Sequence, residues 1–165
     1  MSPTVRLERL RADHARVLLA FERENRAHFA RSIPDRGDAY FAEFAARHEA
    51  LLAEQEAGVC HFHLVLDEEG DLIGRVNLVD VADGSAELGY RIGEGAAGRG
   101  VATAAVREIR RVAGTTYGLV ALTAATTLDN LASRRVLERN DFVEIEPITL
   151  ADRPGVSYRC AHLGH

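Results

Sequence analysis

The stretch "EGAAGRGVATAAVREIRR", Glu94 to Arg111, sets Gly95, Gly98 and Gly100 directly ahead of a run of good helix formers. Glycine is costly inside regular structure because it loses the most backbone freedom on folding. A glycine-rich turn that opens a helix leaves unpaired N–H groups at the positive end of the helix dipole, where phosphates settle readily. Ala97, Gly98, Gly100 and Ala102 are small enough to let a phosphate reach the backbone, and Arg99 adds a mobile cation. A flexible loop with close helix packing would use the same residues, and this stretch alone leaves both readings open. The order from Gly95 is G-x-x-G-x-G rather than G-x-G-x-x-G, and no G-K-[ST] follows, which disfavours the two commonest nucleotide folds.

Other residues offer proton chemistry. In "TLDNLASRRVLERN", helical spacing puts Asn130, Ser133 and Leu137 on one face. Read singly, Asn130 is a cap or turn residue and Ser133 a surface serine. Glu87, in the strand-like "SAELGYRIG", can serve as a base through water or pair with an arginine. His61 and His63 alternate along one face of "VCHFHLVL", where either is a base near neutral pH or a residue facing solvent. Cys60 and Cys160 lack metal-type spacing, no metal site is expected, and Cys60 reads as a buried thiol. Every one of the 20 Lys+Arg residues is arginine, which removes Schiff-base chemistry, a P-loop lysine and a lysine base.

The whole chain bounds these options. Its 165 residues fit one domain over 1–165, and 47% hydrophobic with 27% charged residues is ordinary for a soluble globular protein. A net charge of −5 argues against a nucleic-acid partner and would not repel a cationic amine. The first residues lack a signal-peptide core, and no apolar run approaches the ~18 residues of a membrane span. A cytoplasmic protein without a membrane partner is expected.

These residues need elements to hold them. "TVRLERL" alternates as a strand, with Val5, Leu7 and Arg9 on one face. Asp13 can cap a helix carrying Val17, Leu18, Phe21, Asn25, His28 and Phe29 at helical spacing. Pro34 and Gly37 break it. A second helix is expected over 38–56, with Phe41, Phe44, Ala45, His48, Leu51 and Leu52 on its apolar side. Two strands around "DEEGD" and a third after "ADGS" lead into the glycine loop and a helix over 99–112. Then come the strand "LVALTAAT", the helix of Asn130 and Ser133, and a strand pair around "ADRPG". The order β-α-α-β-β-β-α-β-α-β-β predicts an α/β (α+β) domain with a mostly antiparallel sheet and one parallel pair at its centre.

The segment "AGRGVATAAV" after the strand "AELGYRIG" resembles motif A of the GNAT acyl-CoA-dependent N-acetyltransferases, R/Q-x-x-G-x-G/A, across Ala97, Gly98, Arg99, Gly100, Val101 and Ala102. Ala97 stands where the motif opens on Gln or Arg, a departure that loses a side chain but keeps the N–H groups. "TLDNLASRRVLERNDFVEI" resembles motif B, N-x-x-S-x-x-V-L-E-x-x-G-F, through Asn130, Ser133, Val136, Leu137, Glu138 and Phe142; Asp141 replaces its Gly, which is expected to alter the turn after the helix, and Asn140 or Asp141 can adopt a left-handed backbone. With "IPDRGDAYF" and "GRVNL", the likeness covers most of the chain and is greatest to the ribosomal-protein-alanine (RimJ/RimL-type) branch.

The resemblance implies a sheet of about seven strands flanked by about four helices, with a splayed central strand pair. It implies acetyl-CoA as cofactor, its pyrophosphate on the amides of roughly Gly98 to Thr103. The pantetheine arm would pair with backbone at Leu88, Tyr90 and Ile92 like an added strand, with Gly89 a candidate bulge. Asn130 would contact the cofactor or a water. Related branches place a Tyr acid where Leu137 stands, whereas the alanine-acetylating branch places a Ser where Ser133 stands, which makes Ser133 the implied proton donor, directly or through water; Glu87, His61, His63 or water is the base. The region around Asn25, His28, Phe29 and "SIPDRGD" would line the acceptor side. The implied reaction is direct attack of a primary amine on acetyl-CoA in a ternary complex. The acceptor is a protein N-terminus or a small-molecule amine such as an antibiotic, polyamine or amino acid. A non-catalytic acyl-CoA-binding module is the competing reading, and the chain is expected as a monomer or homodimer.

Overall fold

A computed structural model describes residues 3–164. Seven strands form one sheet: β1 (Arg6–Arg9), β2 (His61–Leu66), β3 (Leu72–Ala82), β4 (Ser85–Ile92), β5 (Ala121–Thr127), β6 (Val143–Leu150) and β7 (Arg153–Cys160). Their order across the sheet is β1-β2-β3-β4-β5-β7-β6. Every neighbouring pair is antiparallel except β4 and β5, the expected central parallel pair.

Strand alternation sends side chains to two cores. Phe62, Leu64 and Leu66 pack with Leu18, Tyr40 and Phe44 under α1 (Ala15–Glu24) and α4 (Phe44–Glu56). Val65, Val76, Leu78, Ala86 and Leu88 pack on the other face with Val106 and Ile109 of α5 (Val101–Thr115) and Val136 and Leu137 of α6 (Leu131–Arg139). β4 adds Ala86 and Leu88 to the second core, the one under α5 and α6. None of the helices described is long and apolar enough to cross a membrane.

Several local expectations change. Asp13 lies in a single 3-10 turn, Ala12–His14, and pairs with Arg11, so it does not cap α1. The first helix breaks at Asn25 before α2 (Arg26–Ala30), and the second breaks at Glu43, between α3 (Asp38–Ala42) and α4. Val17 and Ala45 are exposed, while Asn25 and Gln55 are buried in hydrogen bonds to backbone. The β6–β7 turn is Ala151-Asp152, both at positive φ, with Pro154 and Gly155 inside β7. Of Asn140 and Asp141, Asp141 takes the left-handed backbone, φ 65°, and Asn140 keeps φ −104°.

Gly89 is not a bulge. Pairing of β3 with β4 runs unbroken from Val79↔Glu87 to Gly74↔Ile92, and the register shift falls between Val79 and Ala82, where Asp80 has φ 53°. The sheet opens on the opposite side of β4. Its pairing with β5 ends at Glu87↔Thr123, after which the two strands run apart.

Candidate active site

The opening between β4 and β5 continues as a cleft of about 930 Å³. Its walls come from β4 beyond Leu88, from Ala124 to Thr127 of β5, from the loop before α5, from α6, and from residues 28–34 on the other side. Among the described residues, no strand pairs with β4 on its β5 side beyond Glu87, so backbone groups along Leu88–Ile92 are turned to the cleft without a ladder partner. An extended amide-bearing chain can pair with them as a further strand would.

The loop that closes one end has a specific backbone. Gly98 and Gly100 take φ 76° and 78°, and Gly100 is the N-cap of α5. L-residues with a Cβ pay roughly 1–2 kcal/mol in that region, so both turns select glycine. Gly93, at negative φ, serves packing: a Cβ there would lie 3.0 Å from Phe21 Cε1. The first N–H bonded into α5 is that of Ala104, donated to Gly100 O. Among the described residues, the N–H groups from Gly98 to Thr103 find no acceptor in the protein. Six successive free donors at a helix start form an anion cradle.

Ala97, Ala102 and Thr103 line the cleft, and Ala97 presents only a methyl group. Val101 lines it too while its side chain is buried in the core. Arg99 is not on the main cleft wall. It lines an adjoining recess with Arg107 and Arg139, behind the same loop, and donates to Gly95 O. That recess holds three guanidinium groups against one helix start and suits a further phosphate.

Across the cleft stands α6. Asn130 is its N-cap, accepting the Ser133 N–H at 3.1 Å, and it also lines the cleft. Ser133 lines the cleft, and its Oγ lies 3.0 Å from the Tyr90 hydroxyl. Burial pushes the Tyr90 phenol above its ordinary range, so it stays protonated at neutral pH. The family resemblance implies a role for the Tyr90 backbone alone, and the fold adds its side chain. Alternation along β4, with Leu88 and Tyr90 both facing α5 and α6, is the sequence signal that points to it.

The candidate bases separate from the cleft. Glu87 is exposed on the opposite face of β4, at the last β4–β5 pair, and does not line the cleft. His61 and His63 lie under the end of α5. The His61 ring stacks on Tyr117 at 3.7 Å, and His63 Nε2 is 2.6 Å from the Tyr117 hydroxyl. Burial holds His61 below its ordinary range and lowers His63 to about 4. Neither lines the cleft, so neither is placed to take a proton from a substrate there. His28 does line it, with Nδ1 3.8 Å from Glu94.

A second unforeseen group sits beneath the acceptor-side wall. Glu22 of α1 is 1% exposed and accepts from Arg75 at 3.1 Å and Arg91 at 2.7 Å, with Arg36 Nε at 3.6 Å. A charged residue four positions after Leu18, on the apolar stripe of α1, is its one trace in the sequence.

The comparisons agree with this geometry. Residues 4–143 match the family model described as an acetyltransferase (GNAT) domain. The chain belongs to the GNAT acetyltransferase family. No curated protein sequence matches significantly. Solved structures that resemble it include a ribosomal-protein-S5-alanine acetyltransferase from Vibrio fischeri, with TM-score 0.87 and 19% identity over 95% of this chain and 92% of that one. Mycobacterium smegmatis RimJ in complex with CoA-disulfide aligns at TM-score 0.84 and 22% identity, over 94% and 81% of the chains. A variant of the spermidine N-acetyltransferase SpeG from Vibrio cholerae aligns at 0.76 and 17%, over 94% of each chain. At these identities the likeness is one of fold. This GNAT chain is accordingly an N-acetyltransferase that uses acetyl-CoA, and the free N–H cradle and unpaired β4 edge fit that donor.

Proposed function

We propose that the protein acetylates a primary amine by direct attack on acetyl-CoA in a ternary complex, with a protein N-terminus as the acceptor. The observation that carries the reading is the β4–β5 opening, with the α5 cradle at one end and the Tyr90–Ser133 pair on its wall. Acetyl-CoA supplies an acyl group already activated as a thioester. The protein's work is then to position the reactants, to keep water out and to move two protons.

In this reading the amides of Gly98 to Thr103 bind the pyrophosphate, and Arg99, Arg107 and Arg139 take the remaining phosphate charge. Backbone groups of Leu88, Tyr90 and Ile92 hold the amides of the arm. Ser133 Oγ holds the proton for the departing thiolate while accepting from the Tyr90 hydroxyl, which points the serine hydrogen away from the ring. Water replaces the histidines as the base nearest the amine, with Glu87 able to receive the proton only through it.

Two points favour an N-terminal amine over a polyamine. Ribosomal-protein acetyltransferases are among the solved structures most like this fold. Among the described residues no Asp or Glu lines the cleft, so a polycation meets no countercharge on its walls. The test is CoA release from acetyl-CoA with a panel of N-terminal peptides, spermidine and amino acids. Turnover of peptides is expected; turnover of spermidine alone would replace this reading with the small-molecule one.

A further inference from the structure

The acceptor side of the cleft holds more positive charge than its one buried carboxylate can neutralise. Buried charges persist when they are paired, and removing either partner leaves the other uncompensated. Here Glu22 is shared by Arg75 and Arg91, whose side chains are 6% and 15% exposed, and Arg36 stands 3.6 Å away. One carboxylate therefore faces three guanidinium groups. The nearby Asp35 is committed to Arg26, which it meets through two hydrogen bonds, and Glu94 turns to Arg31 and His28.

Arg91 is the member of this group that reaches the cleft wall. One nitrogen donates to Glu22, and the guanidinium lies over the Phe29 ring at 4.5 Å, so its plane is fixed. Among the described residues its other nitrogens have no hydrogen-bond partner. A guanidinium carries five N–H donors in a rigid fork suited to a carboxylate. Burial works against its charge, which a bound anion would offset.

The floor beside Arg91 is open. Gly89 lies two positions earlier on the same face of β4, and a Cβ there would meet nothing within 4 Å. Strand geometry separates the two by about 7 Å. An acceptor whose amine enters over Gly89 can thus place a group one residue away against Arg91.

We infer that the acceptor of this enzyme carries a carboxylate within one residue of the amine it presents, and that Arg91 is the specificity-determining residue that binds it. The inference rests on the acetyl-transfer reading above and adds the chemical class of the acceptor. Two sources of that carboxylate are distinguishable: an acidic side chain at the first or second residue of a peptide, or the α-carboxylate of a free amino acid.

The experiment measures CoA release with matched acceptors: peptides with Asp or Asn at the first and second positions, and amino acids beside their amides. The acidic member of a pair is expected to win in kcat/KM by about tenfold or more. The ratio should collapse toward one in Arg91→Met and recover in part in Arg91→Lys, which keeps charge but loses the fork. If Arg91→Met does not fold, Arg36→Met, at a more exposed site, should lower the ratio in the same direction. Equal or reversed preference in the wild type overturns the inference, as does a ratio that survives Arg91→Met. Should no acceptor turn over, calorimetric binding of the same Asp and Asn peptides to the CoA-loaded protein decides it. Tighter binding of the Asp peptide supports the Arg91 assignment while sinking the catalytic reading, and equal affinity sinks the assignment.

Discussion

The two ends of the cleft are made of different materials. At the α5 end the recognition groups are backbone amides, set out by one short segment with Gly98 and Gly100 in left-handed conformations. At the acceptor end they are side chains, brought together from Glu22, Arg36, Arg75 and Arg91 on a helix, a loop and two strands. A backbone site depends on φ at a few positions and is damaged by any side chain there. A side-chain site depends on charge balance and on the packing that keeps water from it.

The sharpest way to break this contrast is at Gly100. Gly100→Val forces a β-branched residue into φ 78°, so the turn must change or α5 must start elsewhere. CoA affinity by titration calorimetry is expected to fall by at least about a hundredfold. Gly95→Ala, at a glycine with open space and no positive φ, should leave it nearly intact. Equal losses in the two variants would mean that the loop binds by general flexibility rather than by a set conformation.

At the other end, Glu22→Ala leaves Arg75 and Arg91 buried without their counter-ion. Breaking a buried pair in this way costs about 3–5 kcal/mol, to be read from urea unfolding. Loss below about 1 kcal/mol would show that the two guanidinium groups are adequately solvated in place, and the acceptor end would be less demanding than its burial suggests.

The same contrast explains which features are legible in the amino-acid sequence and which are not. The cradle is legible because its signal is local: glycines, small residues and a helix start within about ten positions. Seven strands and the central parallel pair are legible from alternation and turn chemistry. The break of each early helix is not: the Asn25 side chain is bonded to Phe21 O and to the Glu94 N–H, a partner 69 positions away, and the exposed Glu43 carries no local stop signal. The Glu22 cluster escapes a reading of the sequence because its members are separated by up to 69 positions and only the fold makes them neighbours. His61 and His63 do share one face, yet which face meets the cleft depends on where β2 sits in the sheet, two strands from the opening.

His63 sharpens the division between stability and catalysis. Its folded pKa is lowered to about 4 by burial, against an ordinary value near 6.5, so the unfolded chain binds more protons between those limits. The stability that neutral His63 contributes is complete above about pH 6.5 and is lost as pH falls toward 4, by at most about 3 kcal/mol. Thermal unfolding across that range should show the slope in the wild type and a shallower one in His63→Gln. A His63→Gln variant that instead removed the acid limb of kcat at a pH where the protein stays folded would return the base role to this residue.

The smallest expected effect belongs to Tyr90, in the pair on the cleft wall. Removing the proton donor in Ser133→Ala should lower kcat by about a hundredfold, the usual worth of a positioned acid, with CoA affinity little changed. Tyr90→Phe keeps the ring that fills the α5 face and deletes only the hydroxyl 3.0 Å from Ser133 Oγ. If that hydroxyl orients the serine, the variant loses about tenfold in kcat, and the Ser133→Ala/Tyr90→Phe double variant falls no further than Ser133→Ala alone. Additive losses would instead mean that each hydroxyl acts on the reaction separately. In that case Tyr90, half-buried and protonated on the same wall, becomes a proton donor in its own right.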